Sequence, residues 1–515
     1  MKEGMQEGQP EFRQLFGIET EYGIIREDVD ESDPVVESME LVRCHKRPFR
    51  ADWDYSAEDP MQDARGFRVK TLQQEQEELD FEKLDRHRPF SFHEMKSDLM
   101  LENGARFYND HTHPEYSTPE CSTLLSLIAH DRAGERILRE CAIARNKILD
   151  QKDALQLYKN NTDFHGHSYG CHDNYLLPRS LPFEALVQHL IPFLVTRQIF
   201  AGAGKIGIED HRGYTQNGFQ LSQRADFFET EISIDTMHAR PILNTRDEPH
   251  ADPALFRRLH LILGDSNMSE YTTALKIGTT SLVLRLIEKG LAPTNSALRE
   301  PVNTLKALSR DCTLKQNLPL NNGKHISSID HQRLFLEAAR KAFSNEREET
   351  SWILQHWEST LDALDSDPMQ LTDRIDWVTK KWLLETFMDA ENCDWSDSRL
   401  PGLDLEYHNI DPERGLYLGL EMDGQMRRFV TDADIKKAMS TGPRDSRSGL
   451  RGLIVQKFLK DIKKIQWEKI VFSGGKARVY KLDPAMTPDE IETEMQRIES
   501  CRSVKALMEK SAETV

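Results

Sequence analysis

Phe16-Gly17-Ile18-Glu19-Thr20-Glu21-Tyr22-Gly23-Ile24 alternates with the period of a β-strand. Phe16, Ile18, Thr20, Tyr22 and Ile24 share one face, while Glu19 and Glu21 share the other. The reading predicts a sheet with an apolar back and an acidic front. A second segment, Arg106-Phe107-Tyr108-Asn109-Asp110, repeats the arrangement: Arg106, Tyr108 and Asp110 lie on one side and Phe107 on the other. Glu115, Thr118 and Glu120 follow closely. Carboxylates ~6–7 Å apart along a strand repel one another. A divalent cation is the usual remedy, and hard oxygen ligands suit Mg²⁺, which normally holds a nucleotide phosphate as well.

The 515-residue chain is long enough for more than one domain. Its 67 Lys and Arg stand against 86 Asp and Glu, a net charge of −19, which argues against a dedicated nucleic-acid binder. Seven scattered cysteines form no CxxC pair and fit a reduced, cytoplasmic compartment. No apolar run reaches the ~18 residues a membrane span needs, and the polar N-terminal stretch lacks a signal-peptide h-region.

Residues 26–102 are the least core-like part, with acidic EDVDESDPVVESME and polar QQEQEELDFEKLD. Between these lies ADWDYSAEDPMQDARGF, residues 51–67, whose Trp53, Tyr55 and Phe67 need a packing partner. Long loops bearing aromatics and charges are more often functional than decorative. Helices are expected over His130–Leu149, Thr279–Lys289, Leu334–Phe343, Trp352–Leu364 and Ile375–Met388. Extended segments are expected near Ala154–Tyr158, Phe219–Gln223, Glu231–Asp235 and Pro241–Asn244. The irregular order of strands and helices favours an antiparallel sheet covered by helices over a doubly wound one. From about residue 430 the composition turns basic: residues 441–481 hold 11 Lys and Arg against three acids. Trp467 reads as part of a strand, as a core residue or a base-stacking one.

Further clusters concentrate polar groups. His172 and Asn174 face together in SYGCHDNY, so His172 is a candidate ligand for metal or phosphate, although a lone His is more often simply hydrogen-bonded. Arg246 and His250 stand in NTRDEPHAD, followed by Arg257, Arg258 and His260. Arginines near carboxylates suit phosphate clamping, because guanidinium donates in bidentate fashion. There is no GxxxxGK[ST] loop, and Cys171 beside His172 points away from it in an extended chain, which undercuts a thiol mechanism.

The motifs GIETEYG, NGARFYNDHTHPEYSTPEC, YKNNTD, SYGCHDNY, PFLVTRQ, QLSQRADF, NTRDEPHAD and RRLHLILGDSNMSE together resemble the Pup ligase/Pup deamidase family. That family is structurally related to glutamine synthetase, and the resemblance runs from about residue 12 to beyond 470. It implies an α+β fold: a curved antiparallel cradle backed by helices over 1–430, with an insertion at about 45–95, and a small C-terminal domain over 431–515. Position by position it implies metal ligands at Glu19, Glu21, Tyr108 and Glu115, completed by His172 and His250. It implies nucleotide contacts at Arg106, Thr118 and Trp467, with Arg246 and Arg258 toward the phosphates, and a catalytic role for Asp110. The segment ADWDYSAEDPMQDARGF looks like the deamidase branch, which hydrolyses amides at the end of Pup, rather than the ATP-consuming ligase branch. The cofactors implied are Mg²⁺ and bound ATP or ADP; the partners are Pup and pupylated proteins, without nucleic acid or membrane. Asp173 departs from the family's usual glutamate, which puts the geometry beside His172 in question.

Overall fold

The computed structural model describes residues 13–27, 32–46, 52–74, 83–149, 154–210, 213–346, 348–474 and 478–511. The expectations for residues 1–12, for the acidic 28–31 and for most of the polar QQEQEELDFEKLD stretch lie outside the described residues.

The centre is a six-stranded, wholly antiparallel sheet. Its strands are β1 (Phe16–Glu21), β2 (Leu99–Met100), β3 (Arg106–Asp110), β4 (His113–Ser117), β5 (Cys171–Pro178) and β6 (Phe256–Leu261), in the spatial order β6-β5-β1-β4-β3-β2. Alternation does what the sequence predicts. Phe16, Ile18 and Thr20 are buried on one face of β1, and Phe107 and Tyr116 are buried behind β3 and β4. Behind the sheet lie the helices Leu124–Asn146, Phe183–Ala201 and Glu270–Glu288, whose apolar side chains join Phe16, Ile18, Tyr175 and Leu259 in the largest core. The fold is α+β, with an antiparallel sheet backed by helices.

The opening strand is shorter than its pattern. It leaves the sheet at Tyr22, whose N–H bonds the Pro114 carbonyl, and Gly23–Arg26 pairs instead with Leu155–Tyr158 in a separate two-stranded sheet. Gly23 permits this because Tyr169 and Asn160 crowd it: a Cβ there would stand 2.6 Å from the Tyr169 hydroxyl. A second departure is the helix Pro34–Arg43, inside the stretch read as least core-like. Asp33 caps it by accepting from the Val35 and Val36 N–H groups, and Val35, Met39, Leu41 and Val42 are buried. The acidic neighbours hid an apolar face at helical spacing.

A separate apolar core gathers Leu450, Ile454, Phe458, Ile465, Ile470, Phe472, Ile491 and Leu507. Ile435 and Ala438 pack in the main core, so the change of packing partner falls near the helix Arg447–Phe458. Two side chains from far upstream, Trp53 and Met100, complete this second core. The short strand Asp52–Trp53 pairs in parallel with Ile462–Ile465, which is hydrogen-bonded to Lys469–Phe472 and through it to Arg478–Lys481. Trp53 thus has its partner, whereas Phe67 stays 46% exposed. Trp467 lies in the turn between Ile462–Ile465 and Lys469–Phe472, not within a strand.

Candidate functional site

Strand register decides which side chains meet in front of the sheet. Glu19 stands opposite His172 on β5 and Ser117 on β4, while Glu21 stands opposite Glu115. Glu115 faces Tyr108, and Asp110 faces His113. His260 on β6 lies beside Asn174, two residues from Arg258 on the same face. The front is therefore one polar surface spanning five strands.

It divides into two clusters whose ligand atoms lie within 4.8 Å of one another: Glu19, His172 and His260, and Glu21, Asp110 and Glu115. In the first, a Glu19 oxygen is 3.3 Å from His172 Nδ1 and 3.4 Å from His260 Nε2, and its other oxygen accepts from Arg258 at 3.3 Å. Burial would raise this carboxyl, but the two imidazoles and the Arg258 charge hold it well below the usual range. Burial and the adjacent Arg258 charge push the His260 pKa down to about 3, so it is a neutral imidazole able to offer a lone pair.

The second cluster is short of positive charge. Burial first, then the charges of Glu19, Asp110 and Glu21, drive the Glu115 carboxyl well above the carboxylate range. The Tyr108 hydroxyl donates to Glu115 at 2.9 Å and the Ser117 hydroxyl at 3.1 Å. Glu21 is half-buried; desolvation would raise it, but His113, whose Nδ1 is 3.4 Å away, keeps it low. Asp110 is half-buried; desolvation would raise it, but Lys96, which pairs with it, and His111 hold it low. Crowded carboxylates of which one is forced toward its neutral form are the donor set of a hard divalent cation, and these residues fit Mg²⁺.

Beside the carboxylates runs a cleft lined by Gly17, Thr118, His250, Arg258, Arg447 and Trp467. Thr118 accepts the Ile18 N–H at 3.0 Å, which fixes the cleft floor, and Gly17 leaves that floor open. Arg447 donates to the His250 carbonyl at 2.8 Å and to Glu120 at 2.9 Å. The Arg451 guanidinium stands 4.8 Å over the Trp467 ring, and a tryptophan face flanked by cations suits an anionic, planar ligand. At the far side, Arg106 stacks 3.8 Å over the Tyr108 ring.

Of the predicted residues, Glu19, Glu21, Arg106, Tyr108, Asp110, Glu115, His172 and Arg258 share the front of the sheet, and Thr118 and Trp467 line the cleft beside it. His250 lies outside both ligand clusters, its ring centroid 6.3 Å from that of Trp467. His260 stands in the first cluster, a role that sequence reasoning missed although β6 alternation puts it on the face of Arg258. Arg246 is anchored at the rim, donating to the Ile234 carbonyl at 3.2 Å and the Thr236 hydroxyl at 3.0 Å. Lys96, His113 and Arg447 were also missed: β4 alternation puts His113 on the face of Glu115, whereas Lys96 and Arg447 come from helix ends outside the sheet. Asp173 points to the opposite side, paired with Arg197 at 2.6 Å in the core, so its departure from glutamate does not face His172. Cys171 is on that side too, and burial raises its thiol, which leaves it unsuited to attack.

A model of the Pup-ligase protein family matches residues 14–471. Among curated relatives, the depupylase of Acidothermus cellulolyticus is 44% identical over 89% of this chain and 90% of its own length. The Pup–protein ligase of Paenarthrobacter aurescens is 42% identical over 70% of this chain and 80% of its own. Among solved structures, the crystal structure of Pup in complex with its ligase PafA superposes with a TM-score of 0.75 at 31% identity, covering 97% of this chain and 94% of that one.

Proposed function

The chain belongs to the Pup-ligase protein family, and from that premise we propose that it is a depupylase and Pup deamidase. It hydrolyses the isopeptide bond between Pup and substrate lysines and the side-chain amide of a C-terminal glutamine of Pup. One observation carries the choice between the branches: in sequence, the depupylase alignment runs through 89% of the chain at 44% identity, the ligase alignment through 70% at 42%. Segment 51–67 supports it, since ADWDYSAEDPMQDARGF resembles the loop of the deamidase branch.

In this reading Glu19, Glu21, Glu115 and Tyr108, with His172 and His260, would hold Mg²⁺, which when bound would supply Lewis-acid polarisation of the scissile carbonyl. The cleft between Thr118, His250 and Trp467 takes ATP or ADP as a bound cofactor, with Arg106, Arg246 and Arg258 toward its phosphates. Asp110 acts on the amide. Held as a carboxylate by Lys96 and His111, it can accept a proton from water or attack the γ-carbonyl. Either way water is added across the C–N bond: the carbonyl carbon gains its oxygen, and the nitrogen leaves as ammonia or the lysine amine. Among the described residues no helix is long and apolar enough to cross a membrane, and all seven cysteines are free thiols. The free thiols support a cytoplasmic site of action.

The test is incubation of the protein with a Pup–protein conjugate, Mg²⁺ and ATP or ADP. Release of free Pup with either nucleotide, lost on chelation, is the expected result. New conjugate formed from glutamate-ended Pup, with matching ATP consumption, would assign the chain to the ligase branch instead.

A further inference from the structure

Apart from Tyr108, the side chains around Arg106 come from outside the strands of the central sheet. Its Nε and Nη2 donate to one Asp98 oxygen at 3.0 and 2.6 Å, and Nη2 also reaches the Tyr55 hydroxyl at 3.1 Å. Tyr55 in turn donates to the other Asp98 oxygen at 2.7 Å, closing a three-membered ring of hydrogen bonds. The guanidinium stands 4.0 Å over the Trp53 ring and 3.8 Å over the Tyr108 ring, so aromatic rings cover it on two sides. Trp53 is 3% exposed; its indole N–H donates to Glu58 at 2.8 Å, and it meets Trp467 edge-on at 5.4 Å. A guanidinium held by a carboxylate, a phenol and two rings has lost most of its rotamer freedom.

The segment that brings Trp53 and Tyr55 is itself fastened at both ends. At one end the Asp54 N–H bonds the Ile465 carbonyl at 2.9 Å, beside the parallel pairing of Trp53 with Ile465. At the other, Asp63, fully buried, accepts from the Thr245 hydroxyl at 2.6 Å, and the Ala64 N–H bonds the Thr245 carbonyl at 2.8 Å. Midway, the Asp59 N–H donates to Glu248 at 2.9 Å. Residues 52–64 therefore tie the C-terminal sheet to the strand end that carries Arg246.

We propose that Trp53, Tyr55 and Asp98 are positioning residues for Arg106, and that the inserted segment serves as a fixed wall of the nucleotide site. The proposal rests on the reading of Arg106 as a nucleotide contact. Free in solution, an arginine loses entropy on clamping a phosphate; here that ordering is complete before the ligand arrives. The guanidinium Nη1 takes part in none of the bonds to Asp98 and Tyr55, and it is the donor left for an anion.

The test measures ADP affinity by calorimetry in the presence of Mg²⁺, and conjugate cleavage in parallel, for Tyr55→Phe, Asp98→Asn and Trp53→Leu, each alone and with Arg106→Lys. Tyr55→Phe removes one oxygen and keeps the ring, so it guards against misfolding of the other two. The expected result is ADP binding about tenfold weaker for Tyr55→Phe and under about twofold further change when Arg106 is already lysine. ADP affinity within about twofold of the parent for Tyr55→Phe and Trp53→Leu, or equal losses with and without Arg106, would overturn the proposal. A parent that binds ADP with this coupling but releases no Pup would leave the wall standing and sink the hydrolase reading. A parent that does not bind ADP would sink both.

Discussion

The two ligand clusters meet on β1 and lie side by side on the front of the sheet, yet their central carboxylates, Glu19 and Glu115, are shifted in opposite directions. Glu19 is surrounded by His172, His260 and Arg258 and is held well below the usual carboxylate range. Glu115, on the neighbouring strand, sees Glu19, Asp110 and Glu21 and is driven well above it. The first cluster is compensated by the protein's own donors; in the second, Lys96 and His113 compensate Asp110 and Glu21, and Glu115 is left without a cation of its own. A buried charge must be paired or neutralised, so a divalent cation would be felt most strongly at Glu115.

The sharpest way to break this comparison is Asp110→Asn. Turnover of a Pup conjugate should fall by about 10²–10⁴-fold or more, while ADP affinity, set by the cleft on the other side, stays near the parent's. Normal turnover would remove Asp110 from the chemistry. A single turnover in ¹⁸O water, followed by mass spectrometry of the Asp110 peptide, separates its two modes: label in Asp110 means attack on the carbonyl, and no label means proton transfer.

Metal dependence should track the same asymmetry. Glu115→Gln removes the carboxyl with the least compensation and should raise the Mg²⁺ concentration for half-maximal cleavage by about 100-fold, whereas His260→Asn should raise it by about tenfold. Titration of each variant with Mg²⁺ measures both. Equal shifts would mean that the clusters act as one site. The smallest effect belongs to Cys171→Ala, on the back of β5: cleavage within about twofold of the parent, since the thiol faces Lys276 in the core rather than the substrate. A large loss of kcat with the fold intact would put a sulfur into the mechanism.

The front of the sheet was legible because alternation is local. Once Glu19 and Glu21 are seen to oppose Ile18 and Thr20, and Arg106, Tyr108 and Asp110 to oppose Phe107, no tertiary information is needed to put them on one side of a strand. The helices 348–366 and 376–391 were legible for the same reason, an apolar period that a helix satisfies by itself. The helix Pro34–Arg43 was not, because its buried apolar residues, Val35, Met39, Leu41 and Val42, sit in an acidic stretch that only the core's location explains.

What the chain determines by itself is therefore the identity of each strand, which side chains share its face, and the gathering of carboxylates on one of those faces. What only the tertiary structure decided is partnership across long separations. Register set Glu19 against His172 and brought His260 rather than His250 to it. The turn after Ile465 delivered Trp467 to a cleft built on residues 17 and 118. Segment 52–64, polar enough to read as a loop, became a wall because Trp53 found a core more than 390 residues downstream. The physical reason is range: alternation is written in neighbouring peptide units, whereas compensation of a buried charge depends on whichever groups the fold carries within a few ångströms of it.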